Sequence, residues 1–301
     1  MKQIHRTLLR CPLALVLLVL ALTEAGAAPR ARHVFIVSID GGKPAVMQKS
    51  RMPQLFSLIR EGGHTWNAQT IFPSITLVSH TSMLTGLAPE KHKISWNDWQ
   101  PAKGMISVPT IFGLARAKGH STALFAGKEK FLHLAVPGTL STFSLPGYKA
   151  GQVADVAARH IEVSRPNLCF IHFADVDGAG HAHGWGSPQQ FQALADVDAA
   201  LGVVYRAIHK AGIARTSVVL ISADHGGHDK HHGTNAAEDM TIPWIAWGAG
   251  VRRGHTITAP VTTYDTAATA LWLLDIPIPE DWDGKPVVSA FQEQTGRVAG
   301  K

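Results

Sequence analysis

An acid and an imidazole stand side by side just after an apolar segment of the chain. Residues 216–221 form that segment, and Asp224 and His225 follow it, ahead of two glycines. In a strand their side chains point to opposite faces, so they either face different cations or share one after a bend. His232 comes seven residues after His225, and glycines on both sides free the backbone to return. This pattern predicts a divalent metal site built from oxygen and nitrogen ligands.

Two other apolar segments also end at a carboxylate. Asp40 follows residues 33–39, and Asp177 comes shortly after residues 168–173. Asp177 also stands four residues before His181, a spacing that one turn or a short loop folds around a single cation. These residues are therefore further candidate metal ligands.

A threonine occupies a position suited to a nucleophile. Thr76 follows Phe72-Pro73-Ser74-Ile75 and precedes a segment with helical spacing. The N-terminus of a helix favours negative charge, and a bound divalent ion lowers the pKa of a hydroxyl further. The residue set points to metal-dependent phosphoryl transfer, although Thr76 taken alone also fits a helix cap.

Apolar segments of strand length alternate with segments of helical spacing. The predicted strands are residues 33–39, 65–71, 121–125, 168–173, 218–222 and 242–247, and the predicted helices are residues 52–61, 77–85, 111–118, 153–163, 189–211 and 264–274. This alternation predicts an α/β fold with a mostly parallel sheet covered by helices on both faces. Ligands of such folds bind beyond the carboxyl ends of the strands, where Asp40, Asp177 and Asp224 are expected.

Length and composition narrow the class of protein. The chain has 301 residues, enough for one large α/β domain, which we expect over residues 29–301. Residues 1–28 have the basic start, apolar centre and small residues of a secretory signal, which predicts a periplasmic or secreted protein. The apolar run 12–22 is too short to span a bilayer, so no membrane association is expected after cleavage.

Cysteine usage and charge exclude two further possibilities. After signal removal only Cys169 remains, which excludes an internal disulfide, and it lies in a predicted buried strand. Removal of three of the 28 basic and one of the 22 acidic residues leaves a formal excess of four positive charges. This excess is compatible with a small anionic substrate but too diffuse to indicate a nucleic-acid polymer as partner.

The motifs together resemble those of one known family. They are Asp40-Gly41-Gly42, Phe72-Pro73-Ser74-Ile75-Thr76, Thr85-Gly86-Leu87-Ala88-Pro89-Glu90-Lys91-His92, Asp177 with His181, Ala223-Asp224-His225-Gly226 and His232-Gly233. In this order they resemble the type I phosphodiesterase/nucleotide pyrophosphatase branch of the alkaline phosphatase superfamily, over about residues 33–280. The resemblance implies an alkaline-phosphatase-like three-layer sandwich.

The resemblance also implies the roles of individual residues. It assigns one Zn²⁺ to Asp177, His181 and His232, and a second Zn²⁺ to Asp40, Asp224 and His225, with Thr76 beside the second ion as nucleophile. Mn²⁺ or another divalent ion remains an alternative to zinc. Asn97 matches the family asparagine that hydrogen-bonds a phosphoryl oxygen. The implied reaction is hydrolysis of phosphodiester or pyrophosphate bonds through a phospho-threonine.

Charge favours one class of substrate. Two divalent ions carry four positive charges, and three carboxylates with a Thr76 alkoxide carry four negative ones, so a monoanionic diester fits better than a dianionic monoester. A phosphomonoesterase and a hydrolase of the phosphonoacetate type are alternatives on the same site. A non-catalytic metal-binding module is a third reading. A sulfatase is disfavoured because Thr76-Leu77-Val78 lacks a modifiable Cys or Ser followed by Pro and Arg.

Several residues have more than one reading. His231 competes with its neighbour His232 as the last ligand, and the glycine after His232 favours the latter. Lys128 and Lys130 are either substrate contacts or solvated charges.

Larger relatives insert a long segment between the Asp-His pair and the last histidine. Because His232 follows His225 by only seven residues in this chain, we expect a lid or substrate loop within residues 100–151.

Overall fold

The computed structural model describes residues 30–293, which form eight strands in one mixed sheet. The strands are β1 (His33–Ile39), β2 (Gly63–Gln69), β3 (Thr122–Ala126), β4 (Thr142–Ser144), β5 (Leu168–Phe173), β6 (Ser217–Ser222), β7 (Thr241–Gly248) and β8 (His255–Thr256). Their order across the sheet is β4-β3-β5-β1-β6-β7-β2-β8. The predicted segments 33–39 and 168–173 match β1 and β5 without displacement.

The three central strands, β5, β1 and β6, are parallel and share one register. Ser38 of β1 is opposite His172 of β5 and Ser222 of β6. Nearly all residues of these strands are buried, as expected for parallel strands covered on both faces. The aligned register brings the residues that follow each strand to the same edge of the sheet.

Helices cover both faces of this sheet. They are α1 (Pro44–Met47), α2 (Pro53–Glu61), α3 (Thr76–Thr85), α4 (Pro89–His92), α5 (Ile111–Ala117), α6 (Ala150–Ser164), α7 (Asp175–His183), α8 (Pro188–Lys210), α9 (Ala237–Met240) and α10 (Asp265–Leu273). Alternate residues of β1 belong to different cores: Val34 and Ile36 pack with α3, α5 and α10, whereas Phe35 and Val37 pack with α2, α6 and α8. The predicted three-layer arrangement is therefore present.

The structure differs from the predictions at several elements. The predicted strand 65–71 begins and ends two residues earlier, as β2, whose register with antiparallel β7 shifts between Thr65 and Ala68. The segment with Asp177 and His181 is a helix, α7, where the sequence left a turn or short loop open. Residues 100–151 include α5, β3 and β4, so part of that range belongs to the sheet and its covering layer.

The predicted signal, residues 1–28, lies outside the described residues. Between residues 30 and 293, no helix has both the length and the apolar character needed to cross a membrane. Cys169 is buried in β5 and is not part of a disulfide.

A buried carboxylate on α8 caps the N-terminus of the neighbouring helix α2. Asp198 of α8 accepts hydrogen bonds from the backbone N–H groups of Gln54 and Leu55, at 3.0 and 2.8 Å, in the first turn of α2. No side chain of its own caps α2. Asp198 therefore satisfies donors that the helix cannot satisfy internally.

We expect Asp198→Ala to lower the free energy of unfolding by about 2 kcal/mol, because hydrogen bonds to a charged acceptor are lost and two N–H groups are left unpaired. Urea unfolding followed by circular dichroism measures this change. The matched control is Asp196→Ala, which removes an exposed carboxylate on the same helix. Equal stability of the two variants would contradict the capping role.

Candidate active site

Three carboxylates lie at the carboxyl ends of the three central strands. Asp40 directly follows β1, Asp177 lies in the first turn of α7 after β5, and Asp224 is two residues past β6. Gly41 has a φ of +73°, and a Cβ there would lie 3.0 Å from the Cα of Asp177. Glycine is therefore needed both for the turn and for the close approach of the two segments.

One group of potential ligands is centred on Asp177. Its Oδ1 atom lies 3.3 Å from Nε2 of His181 and 3.4 Å from Nε2 of His232. The predicted ligands Asp177, His181 and His232 therefore come together in space. His231 is exposed on a turn whose backbone pairs with His228, so it does not occupy this position.

A second group is centred on His225. Its Nε2 atom lies 3.5 Å from Oδ1 of Asp40 and 3.3 Å from Oδ2 of Asp224. The chain bends after β6, so Asp224 and His225 face one common point rather than opposite sides of a strand. Asp40, Asp177 and His225 also lie close enough to share an ion, which means that the two groups adjoin each other.

The three histidines are oriented in the same way. Each has Nδ1 within hydrogen-bond distance of a backbone carbonyl: His181 with Lys230 at 2.9 Å, His225 with Gly226 at 2.8 Å, and His232 with Ser74 at 2.9 Å. Because a carbonyl only accepts, Nδ1 carries the proton, and Nε2 is directed at the carboxylates. Metal-bound histidines typically show this arrangement.

Several buried polar atoms of this site have no hydrogen-bond partner. Within residues 30–293, seven buried side-chain oxygen or nitrogen atoms have no hydrogen-bond partner, and five belong to the predicted site. The five are Asp40 Oδ1, Thr76 Oγ1, Asp177 Oδ1, Asp224 Oδ2 and His225 Nε2. Buried polar groups are normally paired, so such a concentration needs an explanation. All five are electron-pair donors, and a divalent cation fits them.

The electrostatics of the carboxylates agree with this interpretation. Burial alone would raise the pKa of Asp40, but the Lys128 ammonium and His172 hold that pKa well below its usual range. Burial and the charge of Asp40 raise the pKa of Asp224 well above its usual value. Lys128 alone therefore does not balance the negative charge of the cluster.

The histidines differ in how readily they carry a proton. Burial lowers the pKa of His232 to about 4 and also lowers the pKa of His225. Both rings are therefore neutral near pH 7, the form that binds metal ions. The adjacent Asp177 carboxylate raises the pKa of the more exposed His181. A positive charge, whether a proton or a metal ion, is thus favoured next to Asp177.

Thr76 and Asn97 are brought together at the start of α3. Thr76 is the first residue of α3, and its side chain is buried. The Oδ1 atom of Asn97 accepts a hydrogen bond of 2.9 Å from the backbone N–H of Leu77. This bond fixes the orientation of the amide, because its oxygen faces Leu77 and its nitrogen therefore points away from the helix backbone.

Two buried histidines, His172 and His80, support the site, and the sequence analysis did not identify His172. Nε2 of His172 lies 2.8 Å from Oδ2 of Asp40, and its Nδ1 accepts from the N–H of Gly127. His80 is fully buried and lies between Ser38 Oγ and the carbonyl of Thr76. The signal for His172 was a histidine in an otherwise apolar strand.

The two candidate lysines have different surroundings. Nζ of Lys128 lies 2.7 Å from Oδ2 of Asp40 and 2.6 Å from Oδ2 of Asp177. Burial lowers the pKa of Lys128, but the two carboxylates outweigh burial and raise it. Lys130 lines a cleft of about 430 Å³ together with Lys128, Trp99 and Tyr148. Burial lowers the pKa of Lys130, and the charge of Lys128 adds to that effect.

Comparisons with known proteins find several that are similar to this chain. The model of the family described as type I phosphodiesterase/nucleotide pyrophosphatase matches residues 34–248. Human ectonucleotide pyrophosphatase/phosphodiesterase family member 5 is 26% identical over 220 residues, which are 66% of this chain and 45% of that protein. A bovine bis(5'-adenosyl)-triphosphatase is 22% identical over 213 residues, which are 64% and 47% of the two chains. This chain spans about half the length of the curated relatives it matches.

Solved structures with the same fold include proteins that are named for different activities. An inactive variant of mouse ectonucleotide pyrophosphatase/phosphodiesterase 5 in complex with AMP superposes with a TM-score of 0.73 at 16% identity, over 87% of this chain and 100% of that chain. A 2-O GAG sulfatase also gives 0.73, at 14% identity, over 88% and 75%. The predicted alkaline-phosphatase-like fold is thereby confirmed. With most of its length matched by the family model, this chain belongs to the type I phosphodiesterase/nucleotide pyrophosphatase family.

Proposed function

We propose that this protein is a zinc-dependent hydrolase that cleaves phosphodiester or pyrophosphate bonds through a phospho-threonine. One observation carries the proposal: the concentration of unpaired, buried ligand atoms at the carboxyl ends of the central strands. A non-catalytic metal-binding module would need the carboxylates and histidines but not a buried hydroxyl without a partner. Thr76 Oγ1 is such a hydroxyl, which favours an enzyme.

Two divalent cations would be held by six side chains. Asp177, His181 and His232 would hold one, and Asp40, Asp224 and His225 would hold the other. Three imidazoles and three carboxylates suit zinc, although Mn²⁺ is compatible with the same ligands. When bound, such ions act as Lewis acids that neutralise negative charge developing on the phosphoryl oxygens.

Thr76 is the proposed nucleophile. Its Oγ1 gives up its proton to solvent and forms a bond to phosphorus while the bond from phosphorus to the leaving oxygen breaks, and the leaving group departs with the electron pair of that bond. Water then attacks the phosphorus, the bond from phosphorus to Oγ1 breaks, a proton from the water restores the Thr76 hydroxyl, and the phosphoryl product leaves. Burial of Thr76 at the first turn of α3 orients the hydroxyl and places it at the positive end of the helix.

Asn97 is proposed to stabilise the phosphoryl group. Because its Oδ1 is occupied by Leu77 N–H, its amide nitrogen is left to donate to a phosphoryl oxygen. A donor that is already oriented does not reorganise as charge develops, which is the basis of oxyanion stabilisation.

The substrate is proposed to be a small anionic phosphorus compound. Lys128 is paired with two carboxylates and adds one positive charge to the balance, which still suits a monoanionic diester. Lys130 favours a second candidate, a substrate with an additional negative charge, such as a phosphomonoester or a phosphonate. It is partly buried in the cleft beside Lys128, and no ion pair to Lys130 occurs among the described residues.

The relatives support a ligand of this class. Those matched are named as pyrophosphatases and phosphodiesterases, and the mouse structure contains AMP. For this chain we propose only that the substrate shares the phosphate-containing part of that ligand. A periplasmic or secreted location is proposed on the signal segment alone.

Replacing the nucleophile separates an enzyme from a binding module. We expect Thr76→Ala to lower turnover of bis(p-nitrophenyl) phosphate by at least ~10²-fold, because bond formation to phosphorus is lost. Elemental analysis of the purified variant should still find two divalent ions per chain. Thr81→Ala is the control, since Thr81 lies on the same helix and its hydroxyl donates to the backbone carbonyl of Leu77. Unchanged turnover in Thr76→Ala would show that Thr76 is not the nucleophile.

Removing the amide donor tests the role of Asn97. We expect Asn97→Ala to lower kcat by about 10²-fold with a much smaller change in KM, because the donor acts mainly on charge formed in the transition state. Asn97→Asp, which keeps an acceptor for Leu77 N–H but removes the donor, should be at least as impaired. Full activity of Asn97→Asp would show that only the contact with Leu77 matters.

A substrate panel with a lysine variant decides between the two substrate classes. The panel is bis(p-nitrophenyl) phosphate, p-nitrophenyl phosphate and phosphonoacetate, with free phosphate or p-nitrophenol measured. We expect the diester to be the best substrate, and Lys130→Met to lower turnover of the two more highly charged compounds about 10-fold more than that of the diester. Lys118→Met, at an exposed position, is the control. A strong monoester preference in the unmodified protein would overturn the diester assignment.

A further inference from the structure

One indole contacts all three segments that carry the candidate metal ligands. Trp185 follows α7, and its Nε1–H donates a 3.0 Å hydrogen bond to the carbonyl of Gly41, next to Asp40. Its backbone N–H donates a 2.7 Å bond to the carbonyl of Asp229, in the turn that leads to His232. A single residue thus links the segment after β1 to the turn after β6.

The indole also packs against two glycines beside the ligands. A Cβ on Gly180, next to His181, would lie 2.7 Å from the indole, and a Cβ on Gly227, two residues after His225, would lie 2.2 Å from it. Both distances are shorter than any real contact, so the ring occupies the space that side chains at these positions would fill. The indole can therefore occupy this place only because residues 180 and 227 are glycines, and side chains at these positions would require a smaller residue at 185.

The same ring borders two of the ligand imidazoles. Its centroid lies 5.4 Å from that of His181 and 5.9 Å from that of His232, both with edge-to-face geometry. Such contacts restrict the rotation of an imidazole about its χ2 angle. The carbonyl bonds at Nδ1 and the indole together leave each ring one orientation.

Trp185 is not a core residue. It is only partly buried, and it belongs to neither of the two apolar clusters that fill the faces of the sheet. Packing of the main core therefore does not account for its position. The contacts of its indole described above are with Gly41, Gly180, Gly227, His181 and His232, which are candidate ligands or lie within two residues of one.

We propose that Trp185 is a positioning residue that sets the spacing of the ligand-bearing segments, and that its indole reports metal binding through its fluorescence. The inference rests on the metal centre of the proposed function. A supporting group of this kind changes metal affinity by about 10- to 100-fold when it is removed. Its effect on the stability of the metal-free chain is smaller, because it adds little to the apolar core.

The experiment compares Trp185→Phe and Trp185→Ala with Trp272→Phe in the full chain. Trp272 lies on α10, where the Arg30 guanidinium lies over its ring and Phe291 packs against it at a tilted angle. Metal-free proteins are titrated with Zn²⁺ in the presence of a competing chelator. We expect the affinity to fall about 10-fold in Trp185→Phe, which loses the bond to Gly41, and about 10²-fold in Trp185→Ala, with no change in Trp272→Phe.

Two further measurements distinguish positioning from a general loss of stability. The zinc-dependent change in tryptophan emission should disappear largely in Trp185→Phe and persist in Trp272→Phe. The rise in melting temperature on zinc addition should shrink in Trp185→Phe, whereas the melting temperature of the metal-free chain should change little. Equal lowering with and without zinc would overturn the proposal and leave a structural role.

A compensating pair of substitutions tests the packing directly. Gly180→Ala should weaken zinc binding, because its new methyl group meets the indole, and Trp185→Leu combined with Gly180→Ala should bind more tightly than additivity of the two single changes predicts. Strict additivity, or wild-type affinity in Trp185→Ala, would overturn the inference. Failure of the unmodified chain to bind zinc would instead refute the proposed metal centre.

Discussion

The mutual repulsion of three buried carboxylates is the constraint on which the rest of the site depends. Asp40, Asp177 and Asp224 are enclosed where β1, β5 and β6 end, and burial of a carboxylate without a partner costs several kcal/mol. Lys128 supplies one ammonium, which bonds to the Oδ2 atoms of Asp40 and Asp177 and leaves their Oδ1 atoms unpaired. The raised pKa of Asp224 shows that this single charge is not enough. Additional positive charge must enter for all three groups to ionise together, and cation binding is therefore coupled to the stability of this end of the sheet.

The fold meets this constraint with backbone groups rather than with flexible side chains. Parallel strands in one register deliver the carboxylates to one edge, and the three imidazoles are held by carbonyls of Ser74, Gly226 and Lys230. Carbonyl positions are determined by the course of the chain, so the Nε2 atoms keep their directions without a bound ion. A site prepared in this way loses little conformational entropy on binding. Because carbonyls hold the imidazoles, the geometry of the site is also sensitive to changes in the loops that supply these carbonyls, even where no ligand is altered.

The sequence predicts well what depends on local pattern. The strands that end at Asp40 and near Asp177 and Asp224 could be predicted because buried parallel strands are apolar throughout and acidic residues interrupt that pattern. Contacts between strands that are distant in the chain could not be predicted in this way. The position of Lys128 beside Asp40 and Asp177 follows from β3 lying next to β5, and the support of Asp40 by His172 follows from β5 lying next to β1. The helix α7 was missed because Gly178 and Gly180 lower helix propensity, and here close packing against Tyr148 and Trp185 requires those glycines.

The same electrostatic constraint also limits what the site can bind. The charge of Lys128 is already shared by two carboxylates, so it neutralises the cluster rather than a substrate. Lys130 is the cation left facing the cleft, and Asp98, on the same cleft wall, opposes it in part. In the proposed metal centre, a substrate with one negative charge at phosphorus would be balanced by the bound ions, whereas a second charge would be met by Lys130. Selectivity between diesters and more highly charged substrates would then depend mainly on Lys130, which is not a proposed metal ligand, and it could change without any change in the ligands themselves.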